Sequence, residues 1–299
     1  MTGKGGVGRS AVTAALAHIA QDRGTRVLVT EIGDDPEDYS PLARYFGKDR
    51  LATTPRELAP GILGAVLLAR TGQELFLRGV LRSSTLSHAA LRSDVLRRLL
   101  NAGPSFREMG IFFQVLHYLR TTREDGSPEH ELILVDMPAT GHTLSLTALP
   151  EVLLRLIPGG PIATALKEGQ SYLNDPDKAA AWVVTLPETL PVSECLELLD
   201  GLDRTSMPIG GIFLNRVPVD PYTTRERELL RPLLDGTAVL GAESYWAPEL
   251  AQRETARLLA GTRVPVYPLQ QIPHANLVAH LAEVMGGARP IRRRTSMRP

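Results

Sequence analysis

The feature that most constrains this chain is its opening turn. Residues 3–10 read GKGGVGRS, and an alanine-rich helical stretch, Ala11 to Asp22, follows at once. Gly3, Gly8, Arg9 and Ser10 fit the pattern G-x-x-x-x-G-K-[ST] at every place but one, where Arg9 stands for lysine. Glycines let the backbone curl so that its N–H groups converge on anionic oxygens. The start of the helix adds the positive end of its dipole, and a hydroxyl at Ser10 suits Mg²⁺. The pattern therefore predicts a phosphate cradle. A loop of this kind belongs at the end of a strand, yet only Met1 and Thr2 precede it. The expectation is a first strand missing at the N-terminus, with the native start lying upstream.

The rest of the chain alternates between short apolar runs and helical stretches. Arg26 to Ile32, Glu131 to Asp136, Ala181 to Leu186, Ile209 to Asn215 and Val264 to Tyr267 read as buried strands. Strands alternating with helices predict an α/β fold with a mostly parallel sheet covered on both faces. Thr71 to Thr122 is too long for one crossover and reads as a helical insertion. Its apolar clusters run Leu96, Leu99, Leu100 and then Ile111, Phe112, Phe113, Leu116, Tyr118, Leu119. That stripe is expected to be core. Residues 1–290 are taken as one nucleotide-binding domain, and 291–299 as a loose basic tail.

The loop GKGGVGRS resembles the deviant Walker A loop, G-K-G-G-x-G-K-[ST], of the ArsA, tail-anchored-protein targeting ATPase, MinD/ParA and nitrogenase iron-protein family. That resemblance implies a P-loop NTPase-like fold, bound ATP and Mg²⁺, and a homodimer in which Lys4 reaches the partner's nucleotide. It implies nucleotide contacts from Gly3, Gly5, Gly6, Val7, Gly8, Arg9, Ser10 and Ala11, with Ser10 and Asp136 at the metal. Arg9 keeps the charge of lysine but is a broad planar fork, which puts the hydrolysis rate in question. A second stretch, Asp136-Met137-Pro138-Ala139-Thr140-Gly141-His142-Thr143, is similar to D-T-A-P-T-G-H-T, the second switch of ArsA and the targeting ATPase. It implies that Asp136 orders the metal's water shell and that Gly141 and His142 sense the nucleotide. Gly33 to Ser40 resembles the first switch and implies Asp35 as the residue that orients water, with Asp34 as the one-residue alternative. Asn215, ending a strand, and Pro268, in a loop closing over the base, are implied adenine contacts.

Other features narrow the function. Lys+Arg and Asp+Glu both number 33, so the net charge is +0, and no basic excess points to nucleic acid. Cys195 is the only cysteine, which excludes a disulfide framework and a multi-cysteine metal site in one chain. Cys195 itself reads as a small apolar packer. No apolar run is long enough for a membrane span, so the expectation is a cytoplasmic protein with at most a peripheral membrane partner. The sequence thus predicts an ArsA-type Mg-ATPase working as a dimeric switch for an unknown protein or small-molecule cargo. The alternatives are a non-hydrolysing ATP-binding recruitment module and a MinD/ParA-like spatial organiser.

Overall fold

The fold was read from a computed structural model that describes residues 1–81, 104–138, 141–156, 158–235, 242–271 and 276–291. The expected tail beyond Ile291, and Leu96, Leu99 and Leu100, lie outside these residues. Two four-stranded sheets form the centre. One has the order β3 (Arg56–Ala59), β4 (Ile62–Leu68), β2 (Val27–Gly33), β5 (Leu132–Asp136). The other runs β1 (Thr2–Gly3), β6 (Ala181–Thr185), β7 (Ile209–Val217), β8 (Val266–Gln270). Every pairing is parallel except β3 with β4. Two backbone hydrogen bonds join the sheets at their shared border. The Met1 nitrogen donates to the Val135 carbonyl at 2.7 Å, and the Met137 amide to the Met1 carbonyl at 3.0 Å. The first strand is therefore present, but as two residues between β5 and β6.

Period-two alternation explains how both faces are filled. In β2, Val27 and Val29 pack into the cluster containing Val12 and Ala15 of α1 (Arg9–Asp22) and Leu281 of α10 (Leu277–Gly287). Leu28, between them, faces Ile111 and Tyr118 of α4 (Pro104–Arg120). Strands apolar on both sides are what a helix-covered parallel sheet requires. On the other half, α7 (Thr189–Arg204) and α9 (Glu243–Gly261) cover β6 and β7 through Val192, Leu198, Leu202 and Leu258.

The stretch expected to be a helical insertion is partly described. Its first helix, α3 (Ala69–Leu81), packs on α4, and both join α5 (Gly141–Leu156) and α6 (Gly160–Leu173) in one apolar cluster. Phe76, Met109, Phe112, Phe113 and Leu116 are buried there. The hairpin of β3 and β4 was not anticipated from the sequence. Ile62 to Leu68 is buried throughout except at the half-buried Leu63, so it lacks the alternation that marks a strand, and it runs directly into α3.

Two local features generate measurable expectations. Gly72 on α3 and Gly110 on α4 meet where the helices cross. A Cβ on Gly110 would lie 2.1 Å from the Ala69 carbonyl oxygen. In a helix interior, Gly→Ala ordinarily stabilises by about 0.5–1 kcal/mol. Here Gly110→Ala is expected to destabilise by about 1–3 kcal/mol through overpacking, seen as a lower denaturation midpoint at unchanged slope. Separately, Cys195 on α7 is 3% exposed, and burial pushes its thiol up to about 12. The folded protein should resist thiol reagents at pH 8, because the reactive thiolate is scarcely populated. Stoichiometric labelling is expected only under denaturing conditions.

Candidate nucleotide-binding site

The site lies at the C-terminal ends of the parallel strands, where open α/β sheets bind ligands. The turn after β1 carries Gly8 as N-cap of α1, with φ 88° in the left-handed region and no side-chain cap. A side chain there would be strained by that φ, and its Cβ would fall 2.4 Å from the Asn215 amide nitrogen. The first turn of α1 carries no acidic residue, so its free N–H groups and dipole favour an anion.

Asp136, the last residue of β5, is 2% exposed and sits beneath this turn. Its Oδ1 accepts from Arg9 Nε at 2.6 Å, and its Oδ2 from the Ser10 hydroxyl at 2.5 Å. Arg9 Nη1 also donates to the Gly3 carbonyl at 3.0 Å. Arg9, Ser10 and Asp136 therefore form one closed cluster. Lys4 is held elsewhere, with its Nζ 2.8 Å from Glu194 Oε1 on α7. Beside the loop lies a cavity of about 620 Å³, lined by Lys4, Gly6, Gly8, Arg9, Ser10, Tyr39, Pro41, Arg44, Tyr45 and Arg216.

The structure brings together only part of the expected site. Asp35 is in an exposed turn outside the cavity lining. Its carboxylate accepts from the Glu37 amide at 2.8 Å, while its own amide donates to the Asp38 carboxylate at 3.1 Å. Asp34 is 76% exposed and pairs with Arg107 at 2.5 Å. An Asp-Pro sequence makes such a self-capped turn readily; that turn occupies Asp35, while Asp34 is taken by Arg107 of α4. Asn215 is 5% exposed, and its amide nitrogen donates to the Val7 carbonyl at 2.9 Å. It clamps the glycine turn. Pro268 lies inside β8, paired in register with Leu214, in a strand and not in a closing loop. An outer strand tolerates proline because its lost N–H faces no ladder partner. Gly141 and His142 begin α5, while Ala139 and Thr140 lie outside the described residues.

One acid was missed. Glu31 of β2 stands in register with Asp136 of β5. Its Oε2 accepts from the Ser40 hydroxyl at 2.6 Å and the Leu42 amide at 3.1 Å. Burial raises its carboxyl above the usual range, against the pull of those hydrogen bonds, and the Asp136 charge raises it further. Ser40 is also the N-cap of the short helix α2 (Pro41–Arg44), accepting from the Ala43 amide at 2.9 Å. The available signal was a lone carboxylate near the end of the strand-like run RVLVTEI.

A glycine turn capped onto a helix, with a serine and a buried strand-end aspartate beneath it, defines a P-loop α/β protein. The chain belongs to the ArsA-type anion-transporting ATPase family, whose model matches residues 1–158. Among curated proteins it is similar to ATPase BagA of Mycobacterium tuberculosis, 28% identical over 221 residues, covering 72% of this chain and 64% of that protein. It is also similar to an arsenical pump-driving ATPase of Escherichia coli, 28% identical over 228 residues (73% of this chain, 34% of that protein). An ATPase ASNA1 homolog of Leishmania infantum is 29% identical over 180 residues (50% and 42%). The chain thus spans 64% of the length of the mycobacterial relative and about a third of the pump ATPase.

If Asn215 acts as a clamp, Asn215→Ala should leave the Val7 carbonyl buried without a donor. The expected loss is about 1–3 kcal/mol of stability. Faster amide exchange in residues 5–9 than in β7 would locate the loosening in the turn.

Proposed function

We propose that this protein binds and hydrolyses ATP with Mg²⁺ in the cavity beside the glycine turn, and pairs with a second copy when nucleotide is bound. The observation that carries the reading is the Ser10–Asp136–Arg9 cluster directly under an uncapped helix start. Two oxygens of different residues within 2.5 Å of each other suit a hard cation that takes most of its shell from water and phosphate. Among the described residues no group of three His, Cys, Asp or Glu forms a metal site. One hydroxyl and one carboxylate side by side fit Mg²⁺ shared with nucleotide oxygens. Ser10 and Asp136 would hold the ion, which supplies charge neutralisation at the phosphates.

The chain's own groups do the rest. The amides of Gly5 to Ala11 bind phosphate oxygens, and Arg9 turns from Asp136 toward them. Lys4 exchanges Glu194 for the partner's nucleotide. Asp35 reaches the attacking water only if the turn 34–40 swings inward, whereas Glu31 holds the base of that segment. Phosphoryl transfer is mostly positioning and charge, so these exchanges set the rate. No helix among the described residues is long and apolar enough to cross a membrane; the proposed setting is cytoplasmic, with a protein, a small molecule or a membrane surface as cargo. The single buried thiol offers no cysteine cluster to a soft anion.

One observation favours a second reading, a switch that binds ATP without turning it over. Arg9 is engaged by Asp136 and by the Gly3 carbonyl, so the cation meant for the phosphates begins in a buried ion pair.

Single-turnover phosphate release and sizing with and without Mg-ATP, on wild type and Lys4→Ala, test both. Release above the free-ATP background and nucleotide-promoted pairing are expected, with pairing weakened at least several-fold by the substitution. Pairing without release would establish the second reading. Identical elution in all samples would remove the cross-protomer role of Lys4.

A further inference from the structure

The charge inventory of the cavity leads to residues that no motif includes. Four cationic side chains line it: Lys4, Arg9, Arg44 and Arg216. The first two are already neutralised, by Glu194 and Asp136. Among the described residues, neither Arg44 nor Arg216 makes an ion pair. Arg44 has only a long contact of 3.5 Å to the Tyr39 hydroxyl. The uncompensated positive charge of the cavity therefore belongs to two residues outside the glycine turn.

Each is presented by a specific piece of backbone. Arg44 ends α2, whose start is fixed through Ser40 and Leu42 to Glu31 Oε2. Arg216 follows Asn215, which is itself tied to the Val7 carbonyl, and adopts φ 53°. That left-handed conformation is costly for a residue with a Cβ, and strained backbone of this kind concentrates at functional sites. Both residues thus line the cavity beside the turn, one from the segment after β2 and one from the end of β7.

We infer that Arg44 and Arg216 are phosphate-contacting residues that form an arginine clamp over the anionic end of the nucleotide. This rests on the nucleotide reading above. Guanidinium suits the task because its fork donates two parallel hydrogen bonds to phosphate oxygens. The clamp supplies positive charge while Arg9 is still held by Asp136, so first capture of the anion needs no ion pair to break. The contribution grows with the number of phosphates and is independent of the base.

Calorimetric titration of ATP, ADP, AMP and inorganic tripolyphosphate, each with Mg²⁺, tests the clamp on wild type, Arg44→Gln, Arg216→Gln and the double variant. Both arginines are exposed, so the variants should keep the wild-type melting temperature. Each substitution is expected to weaken ATP and tripolyphosphate about tenfold, or about 1.4 kcal/mol. AMP should weaken less, and the salt dependence should become shallower. Wild-type-like ATP affinity in the double variant overturns the clamp and leaves the nucleotide reading intact. An equal loss for AMP and ATP also overturns it, since the contact would then be with the nucleoside. If the wild type binds none of the four ligands, the nucleotide reading fails and the clamp falls with it.

Discussion

Everything at this end of the molecule depends on a single buried carboxylate. Asp136 closes the central strand β5, is almost wholly shielded from water, and bonds to two consecutive residues at the start of α1. Burying a carboxylate is costly unless it is paired and hydrogen-bonded. Arg9 and Ser10 meet that cost, and in doing so fix where α1 begins relative to the sheet. The glycine turn is then stretched between two anchors, the Gly3 carbonyl held by Arg9 and the Val7 carbonyl held by Asn215. The shape of the turn is thus imposed from outside, by strands β5 and β7.

Much of the architecture was legible because it follows from periodicity. RVLVTEI, ELILVD, AWVVTL and IGGIFLN are short, rich in branched or aromatic side chains, and bounded by turn formers, and each became a parallel strand. The glycine turn was legible because its geometry demands glycine at Gly8. What escaped was set by tertiary register. Glu31 became visible as a site neighbour only once β2 lay beside β5. Asn215, which the resemblance implied as an adenine contact, also has a structural partner that only the packing of β7 reveals, the Val7 carbonyl. Pro268 read as loop through its resemblance to a family's base-closing segment, yet it lies in the outer strand β8. Asp35, expected near the attacking water from its motif, is satisfied in this structure by hydrogen bonds within its own turn.

Arg9 stands where the pattern G-x-x-x-x-G-K-[ST] has lysine, and in this structure its side chain has two partners. Lysine is a compact point charge, whereas arginine reaches sideways with several donors. Here that reach spans from Asp136 to the Gly3 carbonyl, so Arg9 serves as a brace for the turn. Lys4 is likewise engaged within its own chain, by Glu194. Both cations are thus held in ion pairs, which on the proposed reading would be exchanged when nucleotide binds.

The double-sided burial of β2 has a consequence for how this sheet finds its alignment. When both faces of a strand are greasy, a slip by one residue swaps one oily surface for another, and hydrophobicity discriminates poorly between the two. What distinguishes them in β2 is polarity. Thr30 offers its hydroxyl to the Leu134 carbonyl, and Glu31 must find Ser40 and Leu42. A slipped strand would strand a carboxylate in oil. The acid beside the site therefore doubles as the index mark by which the sheet is threaded.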